Sequence, residues 1–261
     1  GGRGGGSPLW LSVTEHPAEI FVCFLTAAAW CASCWVFVIF PPTLYEHLMD
    51  PPLSYRLSAP PHPHPHPHPS PSEGGSEFDL DLAEAGLEGG EYQAASRAVW
   101  MMHTLLCLFQ VCVLVFAGWL GDRFGARRVM GAGGVLLGVC AVPALHGMGS
   151  GSALAAAAGQ ATLAVCAAFV GATLPYTMVT SFPVAIRYNC LAIGYNAAQA
   201  LFGGTAGIVA TLLYSSTQWA GAVGVYLGVL GLLSAVGVYQ TARLQRRREM
   251  ESEIRRLSFT L

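Results

Sequence analysis

The stretch Gly118-Trp-Leu-Gly-Asp-Arg-Phe-Gly-Ala-Arg-Arg-Val-Met130 decides the fold, because it sets a short polar turn between two long apolar runs. Its glycines permit a tight reversal. Asp122 is suited to cap a helix start, and Arg123, Arg127 and Arg128 hold the turn in water on the side of a membrane where basic loops collect. The flanking runs lie at 98–120 and 129–148, and four others lie at 18–40, 153–180, 190–214 and 219–240. Each holds about 20 residues or more, enough at about 1.5 Å per residue to cross a hydrocarbon core of about 30 Å. Lipid cannot satisfy a bare peptide group, so such segments are helices or strands of a closed barrel. Their length and unbroken apolarity fit helices and not short alternating strands. The expected fold class is an all-α membrane protein with six transmembrane helices.

Composition agrees. The 261 residues are 53% hydrophobic and 11% charged, whereas a soluble domain carries about a quarter charged residues. Every one of the 13 basic residues is arginine. No basic patch is interleaved with aromatics, so nucleic acid is excluded as a partner class. The eight cysteines lie in or at the edge of apolar runs. Cys31 and Cys34 form a C-x-x-C between Trp30 and Trp35 with no second ligand pair, and this reads as small residues packing on a helix face. No cofactor is implied. No Ser/His, paired Asp or His-x-x-x-His constellation falls at membrane depth, so an enzyme is not expected.

Arginine sets the expected topology. Arg123, Arg127 and Arg128 follow the second run, Arg187 the fourth, and Arg243, Arg246, Arg247, Arg248, Arg255 and Arg256 the sixth. If spans alternate, these regions share one face, the cytoplasmic one. The opposite connections after the third and fifth runs carry no charge. An even number of spans puts both termini inside. The expected organisation is a lead-in or linker at 1–17, a six-helix body at 18–240 with a disordered outer loop at 41–97, and a cytoplasmic basic tail at 241–261. Residues 1–8 are glycine-rich without an apolar core and the first residue is not Met, so the chain reads as a fragment or processed piece. In the outer loop, 60–71 alternates His and Pro and is expected to be extended. Its His62, His64, His66 and His68 suit weak binding of a soft divalent metal. The repeat reads instead as a low-complexity expansion, and no metal site is assigned.

Polar residues are placed unevenly. The third and sixth runs hold few, near their ends: His146, Ser234 and Tyr239. The other four carry polar groups in their interiors, where these are costly unless they face protein or water. Spans one, two, four and five are therefore expected to surround a wet path, with three and six toward lipid. Helical spacing selects the candidates: Trp30 and Ser33 with Thr26 and Phe37 in span one, and Gln110 on the face of His103 in span two. Span four offers Gln160, Thr173 and Tyr176, and span five offers Tyr195, Asn196 and Gln199. Gly171 and Pro175 suit either a hinge or a fixed kink in span four. Span interiors read as free of Asp, Glu, Lys and Arg. That leaves His103 as the interior ionisable group, either a histidine reaching outer water or a proton carrier.

The turn at Gly118, Leu120, Asp122, Arg123, Gly125 and Arg127 resembles the short loop joining paired helices in the major facilitator superfamily, with Ala126 where that family usually has Arg. A second stretch narrows the resemblance. Phe182, Pro183, Arg187 and Tyr188, then Gly194, Tyr195 and Asn196, then Phe202, Gly203, Gly204, Thr205 and Ala206 resemble the metabolite:proton symporters of that superfamily. Those carry proline or betaine, citrate, dicarboxylates or shikimate. Gly207 stands where Pro is usual, which predicts a softer kink in span five.

The resemblance implies the second six-helix half of a twelve-helix secondary carrier in the plasma membrane. Its solute, a small organic molecule, would bind between the halves and be exposed to each side in turn, with a proton as the co-substrate. It implies a gating role for Gly118, Asp122, Arg123, Gly125, Arg127 and Arg187, and a missing N-terminal six-helix half as partner. The competing readings are another carrier of the superfamily, for organic ions or sugars, and a non-transporting membrane scaffold.

Overall fold

Among the described residues, six helices are long and apolar enough to cross a membrane: Pro17–Tyr45, Ser96–Phe124, Ala126–Met148, Ala153–Ser181, Arg187–Thr217 and Gly221–Gln240. The structure, a computed structural model, describes residues 17–49 and 75–258, without the side chains at 46–49, 75–95 and most positions of 241–257. The elements are α1 (Pro17–Met49), α2 (Gly75–Phe124), α3 (Ala126–Met148), α4 (Ala153–Ser181), α5 (Arg187–Ala198), a π-helical turn (Gln199–Gly203), α6 (Ala206–Thr217) and α7 (Gly221–Ser258). Among the described residues there is no strand.

Helix extends further than apolarity alone predicts. α1 starts on Pro17, whose fixed φ suits a first helical position, with Glu19 in the first turn where a negative charge is favoured. It continues past residue 40 to Met49. α2 begins at Gly75, inside the loop expected to lack structure at 41–97. The 75–97 stretch is rich in Ala, Leu and Glu, which are strong helix formers whether or not they are buried. The His-Pro run at 60–71 and the lead-in before residue 17 lie outside the described residues. α7 runs without a break from the sixth span into the basic tail, ending at Ser258.

Contacts divide the chain into two compact units, 42–104 and the remainder. In the larger unit α3 lies along both α4 and α7. Small residues make that approach possible. A methyl added at Gly134 would stand 2.7 Å from the Gly231 carbonyl oxygen, one at Gly138 would stand 2.7 Å from the Leu232 side chain, and one at Gly224 would stand 2.6 Å from the Val142 Cα. On the α4 side Gly133 abuts Phe169, and Gly159 abuts the Ala144 carbonyl. Two pairs of small residues at four-residue spacing, Gly134/Gly138 and Gly224/Gly228, thus form the α3–α7 seam. Their opposite faces stay apolar and uncovered, through Val135 and Val139 on α3 and Val225, Val229 and Val236 on α7. The apolar cores of spans two and five are the least covered, at 6% and 22% buried against 44% and 56% for three and six.

Candidate functional site

The glycine turn is tighter than its sequence suggests. α2 runs to Phe124, so Asp122 lies in its last turn and a single residue, Gly125 at φ 99°, reverses the chain. That backbone region suits glycine, which carries no Cβ. The Gly125 N–H donates to the Gly121 carbonyl at 2.9 Å, while the N–H groups of Arg128 and Val129 donate to the Gly125 carbonyl at 3.0 and 3.2 Å. No side chain caps α3. The expectation that Asp122 would do so is corrected: its backbone is still helical, and its carboxylate is exposed. Gly121 sits against Thr173 of α4. Arg123 lies over the Trp119 ring, 5.7 Å from its centroid. Arg127 is half-buried.

A cavity of about 460 Å³ opens between this turn and α4, lined by Gly118, Gly121, Asp122, Gly125, Thr173 and Tyr176 among others. The structure therefore brings two predicted groups together: Thr173 and Tyr176, expected along the path, stand beside the glycine turn. Arg187 begins α5, and its Nε donates to the Phe182 carbonyl at 3.3 Å, bracing its own loop.

A second convergence joins spans one, four and five. The Trp30 ring lies against Gly171, where any Cβ would overlap it. The Tyr195 hydroxyl is within interaction range of Trp30, Cys31 and Cys34. Gly171 therefore acts as the seat of an aromatic ring. Ser33 donates to its own helix at the Trp30 carbonyl (3.1 Å), and Thr173 and Thr177 donate to the carbonyls of Phe169 (3.3 Å) and Thr173 (2.9 Å). Such back-bonding satisfies a hydroxyl without a ligand. Gln160 is fully buried in α4, and Gln110 is half-exposed on α2. His103 is buried, with the Trp100 ring edge-on at 6.3 Å.

Span five breaks although Gly207 replaces the usual proline. In the π turn the Gly204 N–H reaches back five residues to the Gln199 carbonyl at 2.8 Å, and the Thr205 hydroxyl bonds the Leu201 carbonyl. Gly203 leaves room for the Gln199 side chain: a methyl there would stand 2.7 Å from Nε2. π turns inside helices often mark functional positions. Asn196, one turn before Gln199, is exposed.

Two features escaped the sequence reading. Glu19, at the edge of span one, is a carboxylate within a membrane-crossing helix. It lines a small cleft with Thr26 of α1 and Thr177 and Ser181 of α4, beside Val22, Cys23 and Met178. The second is a hydrogen bond from the Trp219 indole to His146. Glu19 was visible in the sequence, one position inside the first apolar run. The tryptophan–histidine pair was not, because it joins residues far apart in the chain.

Among known families, the profile of the Major Facilitator Superfamily matches residues 20–257. The chain belongs to the major facilitator superfamily. Its relatives include proteins named "Putative proline/betaine transporter" from Staphylococcus aureus strains COL, MSSA476 and N315, each 30% identical over 120 residues, which is 45% of this chain and 25% of the relative. The chain thus matches a quarter of the length of these curated relatives. They agree with the metabolite:proton symporter branch indicated by the Phe182–Ala206 stretch. No solved structure gives a significant match. Superfamily membership and six apolar helices make this a multi-pass membrane protein of a carrier family, not an enzyme family.

Proposed function

We propose that this chain is the second six-helix half of a secondary carrier that moves a small organic solute by alternating access. The observation that carries the reading is the convergence of Trp30, Gly171 and Tyr195 from spans one, four and five, with α3 and α7 packed on each other through their glycines. Polar and aromatic groups from spans one, four and five gather together, as a half-carrier with a solute path on one side requires. The uncovered apolar faces of spans two and five suit an N-terminal six-helix partner. The arginine-bearing turns and both termini lie in the cytoplasm, and the plasma membrane is the expected location.

Proton coupling needs a titratable group in the path. His103 and Glu19 are the candidates in this half. Glu19 stands beside the hydroxyl-bearing Thr177 and Ser181 in a small cleft. The Asp122, Arg123 and Arg127 turn, with Arg187 in the next inner loop, forms the contacts that hold one state closed. The named relatives direct the solute search first to proline and betaines.

The test is uptake by the full-length carrier in proteoliposomes, screened across amino acids, betaines and di- or tricarboxylates with and without an inward proton gradient. Saturable uptake driven by the gradient is expected, with Asp122→Asn slowing it while leaving the folded protein intact. Absence of uptake for every solute by well-folded protein overturns the carrier reading. Indifference to the gradient removes the proton.

A further inference from the structure

We propose that Ser258 is a phosphorylation site for a protein kinase that selects basic sequences. It is the one Ser or Thr of the chain preceded by adjacent arginines at the third and second positions before it, Arg255 and Arg256. Kinases of that class read such arginines with acidic pockets, where the fixed charge and fork of guanidinium make charge-assisted bonds that lysine or glutamine does not reproduce. Ser252, the other serine of the tail, stands between Glu251 and Glu253 and lacks this pattern.

The structure adds access. Ser258 is exposed and is the last helical residue of α7. A kinase binds its target extended, and a terminal turn opens at little cost because helix ends fray. In the transfer, the Ser258 hydroxyl oxygen attacks the terminal phosphorus of ATP. The phosphorus–oxygen bond to ADP breaks, and the hydroxyl proton passes to the kinase base. The added phosphate carries about two negative charges. In the last turn of a helix it opposes the macrodipole, so it loosens the end of α7 unless it pairs with a nearby arginine such as Arg255, one turn back.

Access of cellular ATP rests on the proposed cytoplasmic tail, so the experiment separates the two. Full-length protein in detergent is incubated with a basic-directed kinase and radiolabelled ATP. Incorporation near one phosphate per chain is expected, falling to background in Ser258→Ala and at least about tenfold slower in Arg255→Gln and Arg256→Gln. Unchanged labelling in Ser258→Ala, or no labelling of wild type, overturns the proposal. The same reaction is run on sealed vesicles of both orientations. Labelling confined to inside-out vesicles supports the site as accessible in the cell. Labelling only of right-side-out vesicles overturns it as a cellular site and inverts the topology, while the detergent result still reports the chemistry.

Discussion

The indole Nε1 of Trp219 donates to Nδ1 of His146 at 3.1 Å, tying the end of α3 to the linker between α6 and α7. Nδ1 must carry a lone pair, so the imidazole hydrogen sits on Nε2. Adjacent Gln218, at φ 53°, turns the chain out of α6, and its N–H donates to the Tyr214 carbonyl. The tie thus pins a linker whose path is already constrained. A double-mutant cycle with His146→Ala and Trp219→Phe should return a coupling of about 1 kcal/mol in thermal unfolding of the full-length protein. Simple additivity would mean that the bond does not form in the membrane.

Gly171 and Gly131 give a paired test of the aromatic seat. A Cβ at Gly171 collides with Trp30, whereas one at Gly131 has nothing within 4 Å. Gly171→Ala should lower stability by about 1–3 kcal/mol, as overpacking does. Gly131→Ala should be neutral or slightly stabilising through helix propensity. Equal melting of the two variants would place Trp30 elsewhere.

The π turn makes a kinetic prediction. Gly203→Ala pushes a methyl into the Gln199 amide, so KM for the solute should rise several-fold with kcat less affected. In a Gln199→Ala background the same change should do little. Two independent, multiplying losses would show that Gly203 acts through something other than Gln199.

At the glycine turn, Gly125→Ala forces an L residue to φ 99°. The strain should cost about 1–2 kcal/mol. Gly118→Ala, with open space around the added methyl, serves as the control. Comparable loss in both would remove the backbone explanation.

The spans were legible because a bilayer imposes a length and a composition on whatever crosses it, and both are written along the chain. Helix ends were less so. Apolarity stops near residue 40, but helical backbone continues to Met49, since propensity needs no burial. The turn is legible in the sequence, but the capping role expected of Asp122 fails, because the sequence does not say that α2 persists to Phe124. Spacing gives faces but not neighbours: Thr173 and Tyr176 stand at the turn, while Trp30 lies against Gly171 of the same helix, α4. The break in span five was expected to soften with Gly207. It forms upstream through a five-residue hydrogen bond that no residue type announces.

The unbroken course of α7 past the sixth span has a mechanical consequence. From Gln240 to Ser258, eighteen further residues at about 1.5 Å each extend about 27 Å. A rod of that length, continuous with a membrane helix, would act as a lever: a tilt of about 10° at its root would sweep the tip through several ångströms. A probe at the tip would therefore amplify any rocking of span six, and the lever would carry that motion to whatever stands beside it.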